Sequence, residues 1–192
     1  MFKWNLREIV VMTALSVVFA IVYLLFFQVG SVFVGLMGPI GYEPIFGIWF
    51  IVSIVAAYII RKPGAAFLAE TLAAFVEVLI GNVNGPRLIV SGMIQGLGAE
   101  AVFAATGWRK YSVWVLMAAG MGSSIFSFAW GYYLSGFAAL SSGYVTAMFA
   151  IRLVSGAVLA GLLGKYISDS LAMTGVLNGM ALGKELKRKK TA

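Results

Sequence analysis

Cysteine and histidine are absent from this sequence, and aspartate occurs once, at Asp169. Without cysteine there is no disulfide, no thiolate nucleophile and no sulfur donor for a metal. Without histidine the commonest general base and the commonest metal ligand are missing as well. Enzyme chemistry therefore lacks its usual residues, and no enzyme is expected. Charge is also scarce: 11% of residues are Asp, Glu, Lys or Arg against 61% hydrophobic, and the mean hydropathy is +0.97. A soluble domain of 192 residues cannot hide that much apolar surface, so the solvent is lipid and the whole chain is one membrane domain. No Walker A motif occurs, and the abundant glycines sit inside apolar runs rather than after a strand, so no nucleotide and no cofactor is expected.

The charges that remain mark the ends of apolar segments. Six runs are long enough to cross a bilayer, at about 9–27, 44–60, 64–81, 88–106, 113–134 and 144–163, followed by a basic tail from about 165 to 192. No cleavable leader is expected, because the first run is full length and lacks a cleavage site. The connection 28–41 is itself uncharged and is expected to pack over the bundle mouth as a cap. With both termini inside, Lys3, Arg7, Arg61, Lys62, Arg109, Lys110, Lys165 and the cations of the KELKRKK tail share the cytoplasmic side, while the outer loops hold Arg87 alone. The fold class is thus an all-α integral membrane protein, a six-transmembrane-helix bundle with both termini cytoplasmic. The net charge of +7 belongs to this topology, and the tail meets anionic lipid rather than nucleic acid.

The most informative stretch is GAAFLAETLAAFVEVLIGNVNGPR, from Gly64 to Arg87. It places Glu70 and Glu77 two turns apart on one helical face, in a segment where a bare carboxylate costs a few kcal/mol or more. Counting at ~1.5 Å per residue puts Glu77 in the outer third, next to Asn82 and Asn84. Gln95 and Arg152 fall in the outer halves of their segments, and Glu43 heads segment two. Two aromatic faces lie at similar depth, Tyr42, Phe46 and Trp49 on segment two and Phe126, Trp130 and Tyr133 on segment five. Such residues make an interfacial belt, or a box for a flat cationic ring whose amino groups donate to carboxylates. A competing account pairs Arg152 with Glu70, Glu100 or Glu77 simply to hold the bundle. Small residues repeat every four positions at Ser16 and Ala20 and at Gly156, Ala160 and Gly164, which suits packing within the chain or a docking face for another protein.

Several stretches are similar to the YkoE family of substrate-binding (S) components of energy-coupling factor (ECF) vitamin transporters: GYEPIFGIWF, AAFLAETLAAFVEVLIGNVNGP, RLVSGAVLAG and TGVLNG. The resemblance covers nearly the whole chain. It implies a bacterial cell-membrane subunit that binds thiamin or its hydroxymethylpyrimidine precursor and works with a membrane T component and two ATP-binding subunits. S components often dock the T component through Ala-xxx-Ala on the first helix; the nearest match here is Ser16-xxx-Ala20. Thiamin-binding S components of another branch use a histidine, which this chain lacks. On this reading the substrate-binding residues are Glu77, Asn82, Asn84, Gln95, Trp130, Tyr133, Glu43 and Trp49. The alternative is a self-sufficient secondary carrier for a small cationic metabolite, driven by protons through Glu70, Glu77 and Glu100.

Overall fold

A computed structural model describes residues 3–191; the side chains at 190 and 191 lie outside the described residues, and with them Lys190 of the basic tail. Every regular element among the described residues is helical. Helix α1 spans Leu6–Met37 and opens with a capping box, in which Asn5 Oδ1 accepts from the Glu8 amide and the Glu8 carboxylate accepts from the Asn5 amide, both at 2.9 Å. The expected cap over 28–41 does not form as a loop, because α1 continues to Met37 and stops only at Gly38, with φ 75°, and Pro39. A backbone surrounded by lipid must satisfy its own polar groups, and nothing before Gly38–Pro39 interrupts the helix.

The second span, Pro39–Ile60, begins as twelve residues of 3₁₀ helix, Pro39–Phe50, and becomes helix α2 at Ile51–Ile60. So long a 3₁₀ stretch is uncommon, since its hydrogen bonds are poorly aligned. Side chains of helix α6 (Ser142–Ser155) supply what the backbone lacks. Ser155 Oγ donates to the Pro44 carbonyl and accepts from the Gly47 amide, both at 2.9 Å, and Tyr144 OH accepts from the Ile40 amide at 3.1 Å. All ten residues of α2 are buried, consistent with its apolar character on every side, so it forms the central post of the bundle.

Around it stand α3 (Ala65–Leu79), α4 (Arg87–Ala105) and α5 (Val113–Leu134). Helix α6 runs through a π-helical segment, Gly156–Leu163, into α7 (Gly164–Met173), making one rod, Ser142–Met173, and α8 (Ala181–Thr191) closes the chain. Among the described residues five stretches are long and apolar enough to cross a membrane; α3, at 15 residues, is shorter than the usual span. Backbones cross closely where glycines meet. A Cβ on Gly122 would fall 2.5 Å from the Gly98 carbonyl oxygen of α4, and one on Gly156 would fall 2.6 Å from that of Gly120. The small ridges noted above are used internally: Ser16 and Ala20 are buried, with Ser16 Oγ donating to the Ala69 carbonyl at 2.9 Å, and Gly156, Ala160 and Gly164 are buried too.

Arg152 is held by Glu43, not by Glu70, Glu77 or Glu100. Its Nε donates to Glu43 Oε2 at 2.5 Å and its Nη2 to Oε1 at 2.6 Å, with side-chain exposures of 2% and 0%. The guanidinium lies 3.6 Å from the centre of the Phe46 ring, so the pair joins α6 to the 3₁₀ stretch in a fully desolvated setting. Removing one partner of a buried pair leaves an uncompensated charge and costs ~3–5 kcal/mol. Arg152→Gln and Glu43→Gln are each expected to lower thermal stability in detergent strongly. The double variant should lose clearly less than the sum of the two, which would be read from the three melting curves.

Candidate ligand-binding site

The turn between α3 and α4 builds one end of the site. Gly81 and Gly85 take positive φ values of 99° and 60°, which lets the chain reverse within a few residues. Asn82 is buried there, and its Nδ2 donates to Glu77 Oε1 at 2.6 Å. Its Oδ1 accepts from the Asn84 backbone amide at 2.8 Å and from Asn84 Nδ2 at 3.0 Å, while Arg87 Nη2 reaches Asn84 Oδ1 at 3.4 Å. A relay thus runs from Arg87 through both asparagines to Glu77. It occupies one carboxylate oxygen and leaves Glu77 Oε2 without a hydrogen-bond partner among the described residues.

Glu77 looks into a cavity of about 250 Å³ between α1, the 3₁₀ stretch, α3 and α4. Its opposite wall is aromatic: Phe27 stacks on Tyr42 with centroids 6.2 Å apart, and Tyr42 and Phe46 meet Trp49 edge-on at 5.5 and 5.4 Å. Trp49 is held by its Nε1, which donates to the Tyr23 carbonyl at 3.1 Å. Glu70 lines the same cavity, with Oε2 accepting from Ser53 Oγ at 2.7 Å and Tyr23 OH at 3.3 Å. A neighbouring lobe of about 390 Å³ shares Tyr42, Phe46, Ser91 and Gln95 and reaches Trp130 and the Glu43–Arg152 pair. The Gln95 amide borders both lobes and makes no hydrogen bond to the described residues. Trp130 is steadied by its Nε1, donating to Ser91 Oγ at 3.0 Å.

Seven of the eight expected residues border this two-lobed cavity: Glu77, Asn82, Asn84, Gln95 and Trp49 on the first lobe, Glu43, Trp130 and again Gln95 on the second. Tyr133 does not. It is 83% exposed, as Phe126 is at 42%, because α5 turns its small face inward. Gly120, Gly122, Ser123 and Ser124 are what the close crossings with α4 and the π segment require, so Phe126 and Tyr133 are turned outward while Trp130, between them, still reaches the second lobe. Glu43 borders the cavity but has both oxygens on Arg152, so it offers an ion pair rather than a free acceptor. Glu100 is elsewhere. It accepts from the amides of Gly64 (2.6 Å), Ala66 (3.1 Å) and Phe67 (3.3 Å) and from Trp108 Nε1 (2.7 Å), capping the start of α3 from a neighbouring helix. Tyr23, Phe27, Ser91 and Glu70 were not among the expected residues. Tyr23 was detectable as the single tyrosine of α1, with Phe27 one turn later on the same face.

A family profile described as "ABC-type cobalt transport system, permease component" matches residues 7–126. A Bacillus subtilis (strain 168) protein named "Putative HMP/thiamine permease protein YkoE" is 64% identical over 188 residues, covering 98% of this chain and 94% of that one. This chain belongs to the YkoE family. A solved structure described as the "Crystal structure of an S-component of ECF transporter" agrees with a TM-score of 0.97 at 63% identity, covering 98% of this chain and 96% of that chain. The YkoE-family chain is therefore a multi-pass membrane protein of the ECF S-component type.

Two substitutions separate framework from cavity. Glu100→Gln removes the charge that caps α3, and a loss of ~1–3 kcal/mol in unfolding stability is expected. Tyr133→Ala, at an exposed site away from both lobes, should stay within ~0.5 kcal/mol of the parent. Chemical or thermal unfolding of the purified proteins in one detergent checks both.

Proposed function

We propose that this chain captures thiamin or its hydroxymethylpyrimidine precursor outside the cell and performs no chemistry of its own. A membrane T component and two ATP-binding subunits would drive uptake, as in ECF transporters generally. The observation that carries the reading is the cavity itself: an aromatic wall of Phe27, Tyr42, Phe46 and Trp49 opposite a carboxylate with an unused oxygen. Aromatic faces stack on a flat ring and attract positive charge, which suits the thiazolium, and Glu77 Oε2 suits the pyrimidine amino group. Gln95 and Asn84 supply amides for ring nitrogens or the hydroxyl, and Trp130 closes the second lobe. The name borne by the Bacillus subtilis relative points to the same substrates.

The same reading takes α3 with its following turn as a sixth crossing and sets both termini in the cytoplasm. In support, Arg61, Arg109, Lys165 and Lys189 gather at one end of the bundle, away from the end where Arg87 borders the cavity. The cobalt named by the family profile is a second reading. Its weakness is the donor set: the chain has no His or Cys, and no group of three or more His, Cys, Asp or Glu side chains suited to a metal occurs among the described residues.

Calorimetry on the purified chain without ATP is expected to give saturable binding of thiamin or hydroxymethylpyrimidine and none of riboflavin, biotin or Co²⁺. Tight binding of one of those three with neither pyrimidine compound bound would overturn the assignment. Glu77→Gln keeps the shape but weakens the acceptor, so ligand affinity should fall roughly ten- to hundredfold, following ~1.5–3 kcal/mol for a charged hydrogen bond. Glu70→Gln, whose Oε2 is already bonded to Ser53 and Tyr23, should change affinity much less. Uptake separates the binding subunit from a proton-driven carrier. Vesicles containing the chain alone, with an imposed proton gradient and no ATP, should accumulate no more thiamin than empty vesicles.

A further inference from the structure

A second cavity, of about 380 Å³, lies at the basic end of the bundle, among the ends of α2, α7 and α8 and the connection before α5. We propose that it binds a phosphate-type anion, supplied by the headgroup of an anionic phospholipid. Four cations, Arg61, Arg109, Lys165 and Lys189, line it against two carboxylates, Asp169 and Glu185, an excess of two positive charges. Both carboxylates are already engaged. Asp169 accepts from Tyr58 OH at 3.0 Å and from Lys165 at 2.5 Å, while Glu185 pairs with Arg61 and Lys189, each at 2.6 Å. The hydrogen bond from Lys189, together with Arg61, holds the Glu185 carboxyl below its usual range and so keeps it charged and paired.

The donors left over converge from one short piece of chain. The Arg109 guanidinium has no partner among the described residues, and the buried Tyr111 hydroxyl has none either. Arg61 lies over the Tyr58 and Tyr111 rings, at 5.2 and 5.0 Å from their centres, so the cationic wall is held in place. Burial raises the Tyr111 phenol well above its usual pKa despite Arg61, and it remains a hydrogen-bond donor. A cavity with spare donors, surplus positive charge and every carboxylate oxygen already paired is complementary to a phosphodiester. The position favours a lipid source: Trp114 and Tyr166, in the first turns of α5 and α7, are 74% and 62% exposed, as aromatic side chains at the headgroup level of a membrane are.

The full-length chain, delipidated in a neutral detergent, is titrated with short-chain phosphatidylglycerol, short-chain phosphatidylcholine and inorganic phosphate. Native mass spectrometry and the thermal midpoint are read together. One phosphatidylglycerol per chain is expected, with a raised midpoint, and phosphatidylcholine should produce neither. Arg109→Gln, at an exposed position that the fold does not need, should weaken phosphatidylglycerol binding about tenfold, the loss of one charge-assisted hydrogen bond. Tyr111→Phe should weaken it in the same direction, with circular dichroism confirming that both variants are folded. Inorganic phosphate matching phosphatidylglycerol at equal concentration would assign the same donors to a soluble anion. Equal binding of the two lipids, or unchanged phosphatidylglycerol affinity in both variants, would overturn the proposal.

Discussion

A backbone in lipid has no water to fall back on, and the structure departs from regular α-helix where side chains can make up the difference. The 3₁₀ stretch Pro39–Phe50 depends on that condition most heavily. Its Ile40 and Gly47 amides and its Pro44 carbonyl are satisfied by Tyr144 and Ser155, and its Glu43 is clamped by Arg152, all four contacts reaching across to α6. Tyr42, Phe46 and Trp49 are carried on this stretch. At three residues per turn Phe46 and Trp49 eclipse one another, and Tyr42 still reaches Trp49, so the three rings form the aromatic wall of the cavity. The Arg152–Glu43 pair therefore belongs to the framework of the site, although it also borders the second lobe.

The carboxylates of α3 and α4 show how environment separates identical groups. Glu100 has four donors around it, three of them backbone amides at the start of α3, and this leaves it little to offer a ligand. Glu70 is buried against two hydroxyls, Ser53 and Tyr23, and the Tyr23 hydroxyl itself accepts from the Val52 amide at 3.1 Å. That bond lies just after the junction between 3₁₀ and α-helix, so Glu70 is linked through Tyr23 to the same stretch of chain. Glu77 keeps an oxygen without a protein partner among the described residues while its other oxygen is anchored by Asn82, whereas Glu70, deeper in the same cavity, is held through Oε2 by the two hydroxyls. An anchored carboxylate with one free oxygen is oriented before any ligand arrives, which lowers the ordering cost of binding.

Much of this was legible in the residues, and the failures have physical causes. The shared face of Glu70 and Glu77 and their closeness to Asn82, Asn84 and Gln95 follow from helical spacing plus one short turn, which are local properties. The lack of charge in 28–41 suggests a packed loop, whereas an apolar run before Gly38–Pro39 extends the helix. Aromatic periodicity groups Tyr133 with Trp130 on one face without showing which of its rings reaches the cavity. The Gly and Ser residues of α5 decide that, through backbone approaches to α4 and the π segment that a sequence taken alone does not display. The partner of Arg152 lies 109 residues away, at Glu43, and depth counting left several carboxylates equally eligible. Long-range pairing between buried charges depends on the fold, and no local signal encodes it.

The cobalt description of the family profile and the thiamin-related name of the Bacillus subtilis relative need not conflict, because a fold and its cargo are separate properties. The matched residues, 7–126, contain α1 to α4 and the turn that carries Asn82 and Asn84, so they include the first lobe apart from Ser135. They exclude α6, and with it Arg152, Tyr144 and Ser155, the residues that support the 3₁₀ stretch and set the aromatic wall. A shared arrangement of the early helices can thus accompany different cavity chemistry. Here that chemistry is two carboxylates, amides, hydroxyls and five aromatic rings, a set whose flat faces and acceptors are suited to a planar organic cation and which contains neither imidazole nor thiolate for a transition-metal ion.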